Sequence, residues 1–371
     1  MKRKNKVLIS IFLSLTMILY GIIPVAAADL KTDLCTLQDA RTIALNAPAF
    51  FGYSLNWDIT QETTLYTDEQ QIGAYCFDMI SSDISRRTAY VIVDAHVTNF
   101  PIMLFGIDGI SPYYEKNFDR AYYFGTLNCF LKVDSVIHDA RTDDVLDVNT
   151  FYALKDSFVE SASTDSICHS TSSCSTIRSY YMDGYLSAPV QSTGTVSGAA
   201  NLQWYKGCVP TSIAMLILTH FQALSSTNTI DSLAGYMNTS ADGGTRLQNV
   251  QSGVLSYFSH NSNLTAPTTC SWIFTDSTGY PLTGATYNST ASFKASIDAG
   301  FPVGVHCSSS NVTTLGYPSG IGSHTMAGIG YSFGSSGNFV TCYTTNVNDG
   351  AVSFPLTSTG LADYAWFMLK W

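Results

Sequence analysis

The chain has 371 residues, which is enough for two domains of ordinary size. Charged residues make up 12% and aromatic residues 13% of it, and the net charge is −10, so the sequence describes a folded, acidic protein with sufficient apolar side chains for a core. This composition excludes a collagen, a coiled coil and a disordered tail, and it argues against an electrostatic nucleic-acid binder, which needs a basic face.

The N-terminus has the three parts of a secretory signal peptide. Met1–Lys6 is basic, Val7–Ile23 is almost wholly apolar, and the small residues Ala26–Ala28 follow Pro24. We predict cleavage after Ala28, secretion, and a mature protein without membrane association. A retained membrane anchor is the alternative, because the apolar run approaches the length that spans a bilayer.

Residues 29–155 are predicted to form an N-terminal α+β domain. Arg86–Ala95 has the pattern of a buried strand, and Thr98–Gly106 that of a turn followed by a second strand. Residues 156–185 are rich in Ser, Thr, Asp and Cys, which is typical of an exposed linker; a long surface loop within one domain is the alternative.

Residues 186–371 begin with a helix and continue with strands, an order that indicates an α+β domain. The helix is predicted over Val209–Leu224, since Pro210 is tolerated in a first helical turn and the apolar residues that follow share one face. The later predicted elements are a short helix over Phe293–Ala299 and strands over Pro302–His306, Thr325–Tyr331, Asn338–Thr344 and Tyr364–Leu369.

The chain has nine cysteines, an odd number that leaves at least one thiol outside any disulfide pairing. Their spacing is irregular, and neither CxxC nor HExxH occurs, so we predict no metal site and no cofactor.

Cys208 is the candidate nucleophile. It opens the predicted helix, where backbone N–H groups and the helix dipole favour a thiolate. Gly207 permits a sharp turn before it, and Lys206 adds positive charge. The alternative is a small apolar cysteine at the start of a core helix.

His324 is the candidate base among seven histidines, because it stands at the start of the apolar strand Thr325–Tyr331. His306, next to Cys307, is the rival candidate.

The segment Gly207–Ser212 resembles the nucleophile helix of papain-like cysteine peptidases, and is most similar to the group of bacteriocin-leader-processing peptidases. The segments Gly243–Thr245, Ile297–Val303 and Ser323–Tyr331 fit the same pattern, and the resemblance covers residues 186–371. It implies a papain-like α+β fold in which the Cys helix packs on a small antiparallel sheet that carries the His.

The resemblance also implies the roles of the site residues. Cys208 would be the nucleophile and His324 the general base and then acid. A Gln before the Cys donates to the oxyanion in this family, and Gln203 is the nearest match, with Gln191 as its rival. An Asp or Asn after the His orients the imidazole, and Asn346 stands in that region, although the family's usual sequence around it is missing.

Tyr90–Ala95 and Asn99–Phe105 resemble the propeptides of streptopain-like peptidases. This implies a separate pro-domain that acts as an intramolecular inhibitor until the linker is cut; an accessory domain is the alternative. We expect a secreted cysteine peptidase, made as a zymogen by a Gram-positive cell, that cleaves peptide or protein substrates. An inactive papain-like binding protein and an amine-using transferase are the alternatives.

Overall fold

The computed structural model describes residues 35–53, 56–96, 101–124, 128–164, 192–273, 290–307, 324–334, 337–355 and 364–371. The predicted signal peptide, Gln191 and most of the predicted linker lie outside these residues. The described residues all fall within one unit, Leu34–Trp371.

Helices occur in both halves of the chain. They are α1 (Leu37–Phe50), α2 (Val148–Thr164), α3 (Cys208–His220), α4 (Ser226–Tyr236), α5 (Val250–His260) and α6 (Thr290–Asp298). Short 3-10 turns occupy Leu247–Asn249 and Val347–Asp349. Helix α2 continues through the first residues of the predicted 156–185 linker, while the domain boundaries themselves stay a prediction.

Strands also occur in both halves. They are β1 (Trp57–Tyr66), β2 (Ile72–Ser81), β3 (Thr88–Asp94), β4 (Ile102–Ile107), β5 (Arg120–Tyr123), β6 (Cys129–Val133), β7 (Val136–Asp139), β8 (Ser192–Thr195), β9 (Thr269–Ile273), β10 (Val303–Cys307), β11 (His324–Gly334), β12 (Gly337–Tyr343), β13 (Ala351–Pro355) and β14 (Tyr364–Lys370).

The strands form one sheet in the order β7-β6-β5-β1-β2-β3-β4-β13-β12-β11-β10-β14-β9, with β8 paired to β11. The halves join where β4 pairs with β13, with Phe105 opposite Ser353 and Ile107 opposite Ala351. This pairing satisfies backbone groups that two separate sheets would leave exposed at their edges. The mixed α+β class is as predicted, but the small C-terminal sheet is one end of a larger sheet rather than an independent one.

Side chains from both halves also share hydrophobic clusters. Tyr90 and Val352 belong to one cluster, and Val91 and Ile329 to another. Helix α1 packs over the same junction, where the ring of Phe50 lies 5.3 Å from that of Phe339. A capping box at the start of α1 joins Thr36 to Asp39 and satisfies two backbone donors.

Helix α3 is the central helix of the C-terminal half, and every residue from Cys208 to Leu218 in it is buried. One side packs on the sheet at Ala327 and Phe367, and the other on α4, which packs in turn on α5. A helix that is apolar on all sides is stable only in such an enclosed position. Within the described ranges, none of the helices combines the length and apolarity needed to cross a membrane.

Candidate active site

A strained turn places Cys208 at the first position of α3. Lys206 and Gly207 have φ values of 60° and 130°, and a Cβ atom on Gly207 would overlap the carbonyl oxygen of Gly243. The turn is therefore closed by a backbone contact that only glycine permits. This confirms the role that the sequence predicted for Gly207.

Two hydroxyl groups in the first turns of α3 fix the helix to its surroundings. Thr211 Oγ1 donates to the carbonyl of Tyr205 at 2.7 Å and accepts from the N–H of the same residue at 3.1 Å. Ser212 Oγ donates to the carbonyl of Thr325 in β11 at 2.7 Å. The start of α3 is thereby tied to the start of β11, the strand that begins with His324.

Cys208 is a free thiol with 8% of its surface exposed. Burial raises the pKa of the Cys208 thiol above its ordinary value, although the backbone N–H groups of Thr325 and Val209 and its own N–H lower it. The N–H groups at the start of α3 lower the pKa of the thiol, as the helix position predicts. Desolvation of the thiolate raises the pKa by more than these groups lower it.

His324 is fully buried, and its Nε2 lies 3.2 Å from the carbonyl oxygen of Thr344. Because a carbonyl only accepts, Nε2 carries the proton and the lone pair of the neutral ring is on Nδ1. Burial lowers the pKa of His324 to about 4, an effect that the contact with Thr344 opposes and the charge of Arg141 reinforces. The imidazole is neutral at pH 7 in this state.

His306 belongs to the same buried region. It is paired in register with Thr325, and its Nδ1 lies 2.8 Å from Thr325 Oγ1. Burial lowers the pKa of His306 to about 3, with the charge of His324 as a smaller cause. The two histidines that the sequence offered as candidate bases are therefore neighbours.

Gln203 lies beside the segment that contains Asn346. Gln203 is exposed, and its Oε1 accepts from the N–H of Val347 at 3.3 Å. Asn346 Oδ1 accepts from the N–H of Asn348 at 3.2 Å, and its Nδ2 donates to Asp349 at 3.2 Å. The catalytic roles of Gln203 and Asn346 stay predictions.

Sequence reasoning did not identify Arg141, which reaches the site from the turn after β7. Its Nε donates to both carboxylate oxygens of Asp349, at 3.2 and 3.1 Å. Asp349 is buried and also accepts from Thr344 Oγ1 at 2.9 Å. No local motif marks Arg141, because its partner is 208 positions away in the chain.

The part of the chain that the structure describes contains no group of three or more His, Cys, Asp or Glu side chains arranged to hold a metal ion.

A family model matches the segment that contains this site. The family is described as Peptidase_C39 like family, and the match covers residues 189–356. The match includes Cys208, His324, Gln203 and Asn346. A search of curated proteins found no match. The C-terminal half thus combines an α+β fold, a cysteine at a buried helix start and a histidine at the start of a neighbouring strand, and its residues 189–356 are similar to the Peptidase_C39 like family.

Proposed function

We propose that this protein is a cysteine peptidase in which Cys208 is the nucleophile and His324 the general base. The observation that carries the proposal is the hydrogen bond from Ser212 Oγ, in the first turns of α3, to the carbonyl of Thr325, the residue next to His324. Ser212 lies in the same helix as Cys208, so this bond supports a site formed by the start of α3 and the start of β11. The family match suggests the same activity.

The chemistry follows from the tautomer of His324. The Cys208 sulfur attacks the peptide carbonyl while its proton passes to His324 Nδ1, because Nε2–H is held by Thr344. The oxyanion accepts from the Cys208 backbone N–H and from Gln203 Nε2, since Gln203 Oε1 faces the N–H of Val347. The imidazolium then protonates the leaving amine as the C–N bond breaks.

Water completes the reaction. His324 takes a proton from water, the resulting hydroxide adds to the thioester carbonyl, and the bond between carbon and Cys208 sulfur breaks. The acid product leaves, and the sulfur recovers a proton from His324. The protein residues supply every step, so the mechanism itself requires no cofactor.

Replacement of Cys208 tests the proposal directly. In protein whose linker has been cut by an added specific protease, Cys208→Ala is expected to abolish casein cleavage. Cys270→Ala, which removes another free thiol, should retain the activity. His324→Ala should be as inactive as Cys208→Ala. Full activity of Cys208→Ala would refute the mechanism, and loss of activity in His306→Ala but not in His324→Ala would make His306 the base.

A binding protein without catalysis is the second candidate, and it is favoured by burial, which raises the pKa of the Cys208 thiol and lowers that of His324. An epoxide inhibitor separates the two functions. A peptidase is labelled at Cys208 and loses activity in proportion to the labelling, whereas a binding protein shows neither labelling nor activity.

We further propose that the chain is secreted after cleavage at Ala28 and made as a zymogen that is cut within residues 156–188. The N-terminal sequence supports export. The N-terminus and mass of the secreted form, compared between the wild type and Cys208→Ala, test both points. Processing that depends on Cys208 is expected for a self-activating peptidase.

A further inference from the structure

The loop between β12 and β13 connects His324 to the N-terminal half of the chain. At one end, the carbonyl of Thr344 accepts from His324 Nε2. The hydroxyl of the same Thr344 donates to Asp349, and Arg141 donates to both oxygens of that carboxylate. A continuous series of hydrogen bonds therefore leads from Arg141 to the imidazole.

This series is buried. The side chains of Arg141 and Asp349 expose 10% and 2% of their surface. A buried carboxylate that loses its cation is strongly unfavourable, so the loop is expected to rearrange rather than leave Asp349 unpaired. The pair thus fixes where the Thr344 backbone lies.

The N-terminal half also contacts the backbone of this loop. The N–H of Ile110 donates to the carbonyl of Asn348 at 3.2 Å. Gly109 and Gly350 are packed so closely that a Cβ atom on either would overlap the backbone of the other segment. The turn after β4 and the turn after β7 therefore hold the loop from two sides.

We infer that Arg141 is a positioning residue for His324: through Asp349 and Thr344 it holds the carbonyl that fixes the orientation and tautomer of the imidazole. The inference rests on the proposed function of His324 as the base. It gives the N-terminal half a part in the working site, because Arg141 belongs to that half of the chain.

Steady-state kinetics on a casein-derived peptide test the inference. Arg141→Gln is expected to lower kcat on the order of 10²-fold with little change in KM, since a small displacement of a catalytic group reduces the rate more than it reduces binding. Arg141→Lys should fall between the wild type and Arg141→Gln, because it keeps the charge but not the planar donor geometry. Arg41→Gln, which removes an exposed pair with Glu62, is the matched control and should keep the wild-type kcat.

A double variant separates positioning from folding. Arg141→Leu with Asp349→Leu removes both buried charges, so thermal stability should return towards the wild-type value. Its kcat should nevertheless stay low, because Thr344 has lost the acceptor of its hydroxyl. Wild-type kcat in a stable double variant, or in Arg141→Gln, would overturn the inference.

The histidine tautomer provides a readout that does not depend on activity. In ¹⁵N-histidine-labelled protein, with the His324 signal assigned by its loss in His324→Gln, the wild type is expected to show Nε2 protonated. The double variant should show a mixture of both tautomers, and an unchanged His324 signal would overturn the inference. A wild type that neither cleaves casein nor reacts at Cys208 would instead refute the proposed function, and the role of Arg141 in catalysis with it.

Discussion

The charge state of Cys208 shows how two opposite effects act on one side chain. Three backbone N–H groups lower the pKa of the thiol, and burial raises it further than they lower it. The sequence reveals the first effect, because a helix start can be recognised from Gly207 and Pro210. It does not reveal the second, because burial depends on residues from β11 that lie more than a hundred positions away.

The raised pKa predicts how alkylation of Cys208 depends on pH. The rate of reaction with iodoacetamide should rise roughly tenfold per pH unit from pH 6 to pH 9, because the thiolate fraction rises in that proportion below the pKa. Mass spectrometry of the Cys208 peptide measures the rate. The protein unfolded in urea is the control, and its rate of alkylation should level off near pH 8.5. A rate that levels off below pH 7 in the folded protein would contradict the prediction.

The turn before Cys208 predicts a position where alanine is not tolerated. Gly207→Ala should lower the free energy of unfolding by about 1–3 kcal/mol, because the backbone has φ 130° and the new Cβ overlaps Gly243. Gly235→Ala in α4 is the matched control, since its Cβ meets no atom within 4 Å. Gly235→Ala should leave the free energy of unfolding unchanged or raise it. Urea unfolding of both variants measures the difference. Equal free energies of unfolding for the two variants would show that the backbone at Gly207 does not require glycine.

At the scale of elements, the local sequence pattern found two of the six helices and six of the fourteen strands in the described residues. The predicted helix at Val209–Leu224 corresponds to α3, which begins at Cys208 and ends earlier than predicted, at His220. The predicted strand at Thr325–Tyr331 is the interior of β11. Both have strong apolar patterns and a clear breaker residue at one end. The pairing of β4 with β13 was not predictable in this way, because strand patterns identify a buried face but not the partner at the edge.

The contact between α3 and β11 depends on one hydroxyl group. Ser212→Ala removes the donor to the buried carbonyl of Thr325, and the free energy of unfolding should fall by about 1–3 kcal/mol. Ser252→Ala, which removes an exposed hydrogen bond to Asn249, is the control and should change stability by less than about 0.5 kcal/mol. Urea unfolding measures both, and a stability loss confined to Ser252→Ala would exclude this role of Ser212.

At the scale of the whole molecule, the two halves share one sheet, two hydrophobic clusters and the buried pair of Arg141 and Asp349. The sequence suggested two separable domains because composition changes sharply at residues 156–185. A composition shift reports the chemistry of a connecting segment. It carries no information on whether the segments on either side pack together, which depends on edges and faces far apart in the chain.

The shared core predicts that a cut in the linker leaves the protein assembled. A specific protease site placed within residues 165–185 of Cys208→Ala, which prevents self-cleavage, should give two fragments that elute together at the size of the intact chain. The association should persist in 1 M NaCl, because apolar burial is not screened by salt and Arg141 is buried with Asp349. Separation should require urea. Fragments that separate in dilute buffer would show instead that the N-terminal half is released on processing, and the C-terminal fragment would then have to hold His324 without Arg141.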